Sequence, residues 1–188
     1  RRMDSLNMAK TSAQEMASLV FNEKCEISIG DNDNETAEFI FDVFKRNKFN
    51  KKFQDYLEYM FAIGGMVAKP YVENEEIKIA FVTADCFIPI SWENDSIREA
   101  VFINETRKAK KYYTHLEWHV WINGVYTIRN ELYESDMPNE LGRKISLETL
   151  YPDLEEEVGI EGLKKPIFVY FKPNTANNFD TQSPLGIS

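Results

Sequence analysis

The sequence predicts an α+β fold, in which N-terminal helices pack beside a mainly antiparallel sheet of about five to seven strands. Residues 1–65 place apolar side chains mostly at three- and four-residue steps, which is typical of helices. From residue 66 the apolar spacing changes to two, which is typical of strands. Asn123-Gly124 separates two such stretches and is a strong β-hairpin signal.

These patterns divide the chain into three predicted segments. Residues 1–65 are mainly helical with one short strand, and residues 66–173 form an antiparallel β region. Residues 174–188 read as an extended connector. Within the first segment, residues 1–23 form one helix. Cys25, Ile27 and Ile29 alternate with polar residues and predict a short half-buried strand.

A second helical stretch covers residues 34–65. Asn34 is its expected N-cap, a break is expected within residues 45–50, and Gly64-Gly65 is the expected end. Residues 66–93 then predict two strands around a turn at 74–76, with Pro70 at an edge or bulge.

Further strands are predicted in the rest of the β region. They cover residues 97–110, 111–122, 125–135 and, as the last strand, 165–174. The acidic residues 135–162 are expected to form a loop with one helical turn.

Composition limits the classes of function. A length of 188 residues suits one domain, or one domain with a helical appendage. The net charge of -9 argues against tight binding to a phosphate backbone. The two cysteines, Cys25 and Cys86, lack the close spacing of a zinc motif or a disulfide framework. No apolar run is long enough for a membrane span.

The chain's two histidines, His115 and His119, flank Glu117 and raise the question of a metal-dependent hydrolase. The helical metalloprotease motif is not matched, because the glutamate is at the third of five positions. On a strand the two imidazoles would be about 13 Å apart, at roughly 3.3 Å per residue. We therefore expect a solvent-facing polar row, with Leu116 and Trp118 on the opposite, core-facing side.

Other catalytic patterns are weak. The sequence has neither a G-x-S-x-G motif nor a phosphate-binding glycine loop. Asp42 and Glu58 could be imagined as paired carboxyls, but with 31 acidic residues a chance pair is the better explanation. We predict no catalytic residue, no cofactor-binding residue, no metal ligand and no enzymatic activity.

Two basic stretches have alternative interpretations. Residues 107–113, RKAKKYY, could bind a nucleic acid strand, but a solvated hairpin turn is favoured. Residues 44–53, FKRNKFNKKF, are the densest basic cluster and could form an interhelical loop that faces an acidic neighbouring subunit.

Three stretches together resemble a known family. They are RRMDSLNMAKTSAQEMASLVFNEKCEISI, FAIGGMVAKPYVENEEIKIAFVTADCFIPISWEND and KPIFVYFKPNTANNFDTQSPLGIS. The order of a helix ending in ASLVFNE, a Gly-Gly exit into a β region, and a strand leading to SPLG is similar to that of portal proteins. These proteins, also called head-tail connector or minor capsid proteins, occur in tailed phages of Gram-positive bacteria.

The resemblance implies a structural protein that assembles as a dodecameric ring at one capsid vertex. Double-stranded DNA would pass through its channel without sequence specificity. Terminase, capsid or scaffolding proteins and head-completion proteins would be its partners, with no membrane involved. The protein would be assembled in the bacterial cytoplasm and end in the virion. The chain would be the outer, wing-like region of a longer polypeptide, with the stem beyond Ser188. Another capsid or tail adaptor is the alternative.

Overall fold

The α-helices precede the strands along the chain, as the periodicity indicates. The computed structural model describes residues 7–22, 24–30, 34–94 and 96–173. These residues form three α-helices: α1 (Met8–Val20), α2 (Glu35–Arg46) and α3 (Phe49–Ile63). They also form the strands β1 (Met66–Glu73), β2 (Glu76–Thr83), β3 (Phe87–Glu93), β4 (Ser96–Lys108), β5 (Lys111–Ile122), β6 (Val125–Ser135), β7 (Arg143–Ile145), β8 (Glu157–Ile160) and β9 (Val169–Phe171). All the strand pairs are antiparallel, and the α+β prediction is confirmed.

The chain divides into two compact units. The first contains the residues up to Ala84 together with the segment that begins at Phe168, and the second is Asp85–Ile167. The first unit therefore combines the helices with β1, β2 and β9. This division does not follow the predicted change from helices to strands at residue 66. The predicted connector, residues 174–188, lies outside the described residues.

Local signals set the helix ends. The Asn34 side chain accepts a hydrogen bond from Ala37 N at 2.8 Å and caps α2. Helix α3 ends at Gly64, which has φ +97° and donates its N–H to Met60 O at 2.8 Å. A left-handed residue at a helix end favours glycine because glycine has no Cβ. The predicted cap, break and end of this helical stretch are confirmed.

The core of the first unit lies between α1, α3 and β1. Its buried members are Ala17, Leu57, Met60 and Met66. Aromatic rings surround this cluster; for example, the rings of Phe53 and Phe171 are in edge contact at 5.4 Å. The three-stranded sheet has the order β2-β1-β9. Because β9 pairs only with Met66–Ala68, Pro70 lies where β1 has one strand neighbour, as predicted for an edge.

The second unit is built on long hairpins. Its sheet has the order β3-β4-β5-β6-β7, and β8 pairs with the first half of β6. The turn at Asn123-Gly124 joins β5 and β6 in the register Ile122↔Val125, so this hairpin is confirmed. The β4–β5 hairpin turns at Ala109, which has φ +56°.

Three sequence predictions about local structure are wrong. Residues 25–29 alternate in exposure but form no strand, because a strand also needs a hydrogen-bonding neighbour. Residues 66–93 form three strands, since the short 3-10 helix Ala84–Cys86 divides the second half. The stretch 135–162 contains β7 and β8 besides its helical turn at Leu147–Thr149. The strands also form two sheets where one was predicted.

Gly142 precedes β7 and permits a close backbone contact. Its φ is +72°, and a Cβ at this position would lie 2.1 Å from the Glu134 carbonyl oxygen. We expect Gly142→Ala to lower the free energy of unfolding by about 2 kcal/mol or more, because it adds a backbone clash to the strain of positive φ. Gly162→Ala is the matched control, since Gly162 has φ +78° and nothing within 4 Å. Equal losses in urea unfolding of the two variants would contradict the clash.

Candidate functional site

The most concentrated polar chemistry in the second unit is a buried row on β5 and β6. His115 and His119 are 8% and 0% exposed, and Asn130 and Tyr126 beside them are 6% and 0% exposed. The prediction that the histidines face solvent is therefore wrong. The opposite face carries Trp118, which is only half-buried. The predicted core-facing and solvent-facing sides of β5 are reversed.

Strand register explains which face is buried. Across the β5–β6 pair, Glu117 lies opposite Asn130 and His115 lies opposite Leu132, which is fully buried. On the other side of β5, Glu117 pairs with Phe102 of β4, which is also buried. Since side chains opposite each other share a face, the histidine row is enclosed by apolar neighbours on both sides.

His119 is the centre of a hydrogen-bonded relay. Its Nδ1 is 2.6 Å from the Tyr126 hydroxyl, and its Nε2 is 2.6 Å from Glu117 Oε1. The Tyr126 oxygen also accepts the N–H of Ile167 at 3.4 Å. These contacts fit one proton arrangement, in which Tyr126 donates to Nδ1 and Nε2–H donates to the carboxylate. Burial raises the pKa of the Tyr126 hydroxyl well above its usual value, which keeps this donor protonated.

His115 belongs to a second relay that reaches the surface. Its Nε2 is 3.0 Å from Asn130 Oδ1, so Nε2–H donates to the amide oxygen. Asn130 Nδ2 then donates to the Glu155 carbonyl at 2.8 Å, and its backbone N–H donates to the Glu156 carbonyl at 2.8 Å. The relay fixes the backbone of an acidic loop against β6.

These contacts do not favour the metal-dependent hydrolase. Both ring nitrogens of His119 already bond to protein groups, so neither presents a free lone pair to a metal. Among the described residues, no group of three or more His, Cys, Asp or Glu side chains could hold a metal ion. Asp42, considered as a reactive carboxyl, forms an ion pair with Arg46 one turn away at 2.9 Å. The polar row is arranged to orient strands and loops.

The opposite sheet face carries a charged network around Glu131. Its carboxylate accepts the indole N–H of Trp118 at 3.1 Å and the ammonium of Lys144 at 2.8 Å. The Arg129 guanidinium lies over the Trp118 ring at 5.5 Å. Burial alone would raise the pKa of Glu131, but the contacts with Lys144, Trp118 and Tyr133 outweigh it and hold this pKa below its usual value.

This depressed pKa predicts acid sensitivity. The folded state stabilises the ionised form of Glu131 more than the unfolded state does. Glu131 therefore contributes fully to the free energy of unfolding at pH values above the ordinary carboxyl pKa. That contribution is lost as pH falls through the lower folded-state pKa. We expect the free energy of unfolding to fall between about pH 5 and pH 3, and the fall to be smaller in Glu131→Gln. Urea unfolding across this range measures it, with exposed Glu161→Gln as control; unchanged slopes in Glu131→Gln would contradict it.

The basic stretch at residues 107–113 is a hairpin turn, as favoured from the sequence. The Lys111 ammonium contacts Asp136 at 2.6 Å and Glu134 at 3.4 Å. The Arg107 guanidinium lies over the Tyr112 ring at 5.4 Å. Two of its cations are thus engaged by the chain's own side chains.

The densest basic cluster lies at the corner between α2 and α3. Lys45 and Arg46 end α2, Lys48 occupies the corner with φ +52°, and Lys51 and Lys52 lie in the first turn of α3. All five side chains are exposed. The sequence-based interpretation as an interhelical segment is confirmed. A facing acidic subunit stays a prediction.

Comparison with known proteins identifies the family. No helix among the described residues is long and apolar enough to cross a membrane. A search among curated proteins found no significant match. The family model described as phage portal protein, SPP1 Gp6-like, matches residues 1–171, which cover both compact units apart from the C-terminal residues. The chain therefore belongs to the family of SPP1 Gp6-like phage portal proteins.

Proposed function

We propose that this chain is part of a ring-forming portal at one vertex of a tailed-phage capsid, through which double-stranded DNA is packaged and ejected. The family match over residues 1–171 carries this proposal. Phage portal proteins are structural components, which agrees with buried polar side chains that orient strands and loops. We further propose that the chain has no catalytic activity of its own.

The charge of the chain supports passage of DNA without retention. A net charge of -9 gives a surface that repels phosphates on average, so a duplex moving past it meets few sites of strong attachment. A nucleic-acid-binding protein that holds its ligand would instead offer a basic face. The proposed partners are other copies of the chain in a dodecamer, terminase, capsid or scaffolding proteins and head-completion proteins. The proposed location is the virion of a phage of a Gram-positive host, after assembly in the host cytoplasm.

Native mass spectrometry of the complete gene product tests ring formation. We expect a closed assembly of twelve copies, as the family resemblance implies, at a protein concentration that also allows monomers to be detected. A capsid or tail adaptor that acts as a monomer, or that binds only to a preformed portal, would give no homo-oligomer. That result would favour the adaptor over the portal.

A further inference from the structure

We propose that the basic corner of one copy binds the acidic loop of a second copy. The basic corner is Lys45, Arg46, Lys48, Lys51 and Lys52, and the acidic loop is Asp153, Glu155, Glu156 and Glu157. This inference rests on the proposed ring-forming function and names the surfaces that join neighbouring subunits. It is carried by three features: the fixed backbone of both segments, their opposite charge, and their place in different compact units of the chain.

The basic corner is held rigidly by Asn47, which is 5% exposed. Asn47 Nδ2 donates to the carbonyls of Val43 at 2.8 Å and Ile77 at 2.9 Å. Its Oδ1 accepts the N–H of Ile79 at 2.9 Å. One side chain thus ties the end of α2 to β2. The exposed cations therefore project from a fixed backbone, which lowers the entropic cost of binding a partner.

The first turn of α3 is electrostatically unsatisfied. A helix N-terminus carries partial positive charge and is stabilised by acidic side chains or a capping acceptor. Helix α3 has no acidic residue in its first turn and no side-chain cap, while Lys51 and Lys52 lie there. Among the described residues, only Arg46 of the basic corner has an ion-pair partner, Asp42. A carboxylate from outside would relieve this repulsion.

The aromatic side chains of the same segment favour carboxylates over nucleic acid. Single-stranded nucleic acid is usually held by aromatic rings that stack on bases. Here Phe49 stacks on Phe44 at 4.3 Å and on Phe53 at 5.3 Å, so these rings are used within the chain's own core. The corner presents ammonium and guanidinium groups, which suit an acidic protein segment.

The acidic loop is equally well fixed. Asn130 holds the carbonyls of Glu155 and Glu156, as described above, while Glu157 begins β8 and pairs with Arg129. The four acidic side chains are exposed. Their backbone is held by hydrogen bonds to β6, so they form a fixed anionic segment opposite in charge to the basic corner.

The corner and the loop are different segments, so their contact is heterologous when it is not returned within the same pair of copies. When the corner of one copy binds the loop of the next, the growing assembly keeps one free corner and one free loop at its ends until it closes. Head-to-tail contacts of this kind generate rings when the rotation closes. Local complementarity also offsets the general repulsion between copies that each carry a charge of -9.

Carbodiimide cross-linking tests the contact directly, because this reagent joins only amines and carboxylates that touch. The complete gene product is mixed as equal parts of unlabelled and 15N-labelled protein, and cross-linked peptides are identified by mass. We expect mixed-isotope links between the peptides of residues 45–52 and 153–157. Same-isotope links alone would place the contact within one chain. The absence of any link between these peptides would show that the two segments do not touch. Either result overturns the inference.

Charge reversal provides the second arm. We expect K48E/K51E/K52E, and likewise E155K/E156K/E157K, to reduce the mixed-isotope links at least tenfold. Since each reversal also removes groups that the reagent joins, the combined variant gives the deciding result. Combining the six substitutions should restore the links, because opposite charges face each other again. K108E/K110E/K164E changes the charge equally on exposed lysines elsewhere and should leave them intact. Equal loss in this control, or no rescue in the combined variant, would overturn the contact.

The outcomes separate this inference from the proposed function. Rings that form without corner-to-loop links leave the portal function standing and overturn the inference. Links that form without rings support the corner-to-loop contact and overturn the proposed portal function. Duplex DNA that is retarded in a gel by the wild type but not by K48E/K51E/K52E, with no cross-links, would assign the corner to nucleic acid and overturn the inference.

Discussion

His119→Ala is expected to lower the free energy of unfolding by about 4 kcal/mol. The imidazole is 0% exposed and packs edge-on against Phe102 at 4.8 Å, so its removal leaves a cavity. The same change leaves the Tyr126 hydroxyl and the Glu117 carboxylate without their His119 hydrogen bonds inside the sheet. A buried polar group that loses its partner costs stability beyond the lost contact itself.

Urea unfolding at pH 7 measures this effect, and Trp118→Ala on the same strand is the comparison. Trp118 is half-buried, so we expect a smaller loss of about 2 kcal/mol. Exposed Ile122→Ala, on the same strand with 37% exposure, should cost under about 1 kcal/mol. A larger loss in Trp118→Ala than in His119→Ala would restore the sheet faces predicted from the sequence and contradict the observed ones.

Asn130→Ala is expected to cost about 3 kcal/mol and to release the acidic loop. Three bonds converge on this residue, and its side chain supplies two of them: the acceptor for His115 and the donor to the Glu155 carbonyl. Without the amide, the buried His115 ring and the Glu155 carbonyl each lose a hydrogen bond. The backbone N–H of residue 130 still donates to the Glu156 carbonyl, but the Glu155 carbonyl has lost the side-chain donor that oriented it.

Hydrogen exchange separates the two consequences. We expect faster exchange of amides in residues 153–160 in Asn130→Ala, under conditions where the amides of α3 exchange as in the wild type. Asn130→Asp is a second variant, which keeps an acceptor for His115 but replaces the donor to Glu155 with a charged oxygen that only accepts. It should loosen the loop as well. Unchanged exchange in residues 153–160 of Asn130→Ala would show that the amide does not hold the loop.

Elements with a local cause could be predicted from the sequence. The cap at Asn34, the helix end at Gly64 and the hairpin at Asn123-Gly124 each depend on a few neighbouring residues. The failed strand at residues 25–29 shows the limit of periodicity. Alternation describes which side chains are sheltered, whereas a strand also requires a neighbour that the local sequence does not name.

The orientation of the two faces of β5 could be predicted in part from the sequence. Both faces of β5 carry large side chains, so its own alternation is ambiguous. The Asn123-Gly124 turn, however, fixes the register and places His119 opposite Ile128 and Trp118 opposite Arg129. Trp118 shares its face of the sheet with Arg129 and Glu131, and this is the more polar of the two faces of β6. The register and the polar pattern of β6 together predict that the histidines of β5 lie on the buried face. The relays through Asn130 to the acidic loop depend on distant backbone atoms and could not have been predicted.

Negative-stain electron microscopy of the complete gene product tests the central claim most directly. The portal proposal predicts closed rings with a central channel wide enough to admit duplex DNA, seen in class averages of the wild type. Particles that remain monomeric or form only open chains under every condition tried, including mixtures with capsid proteins, would contradict it.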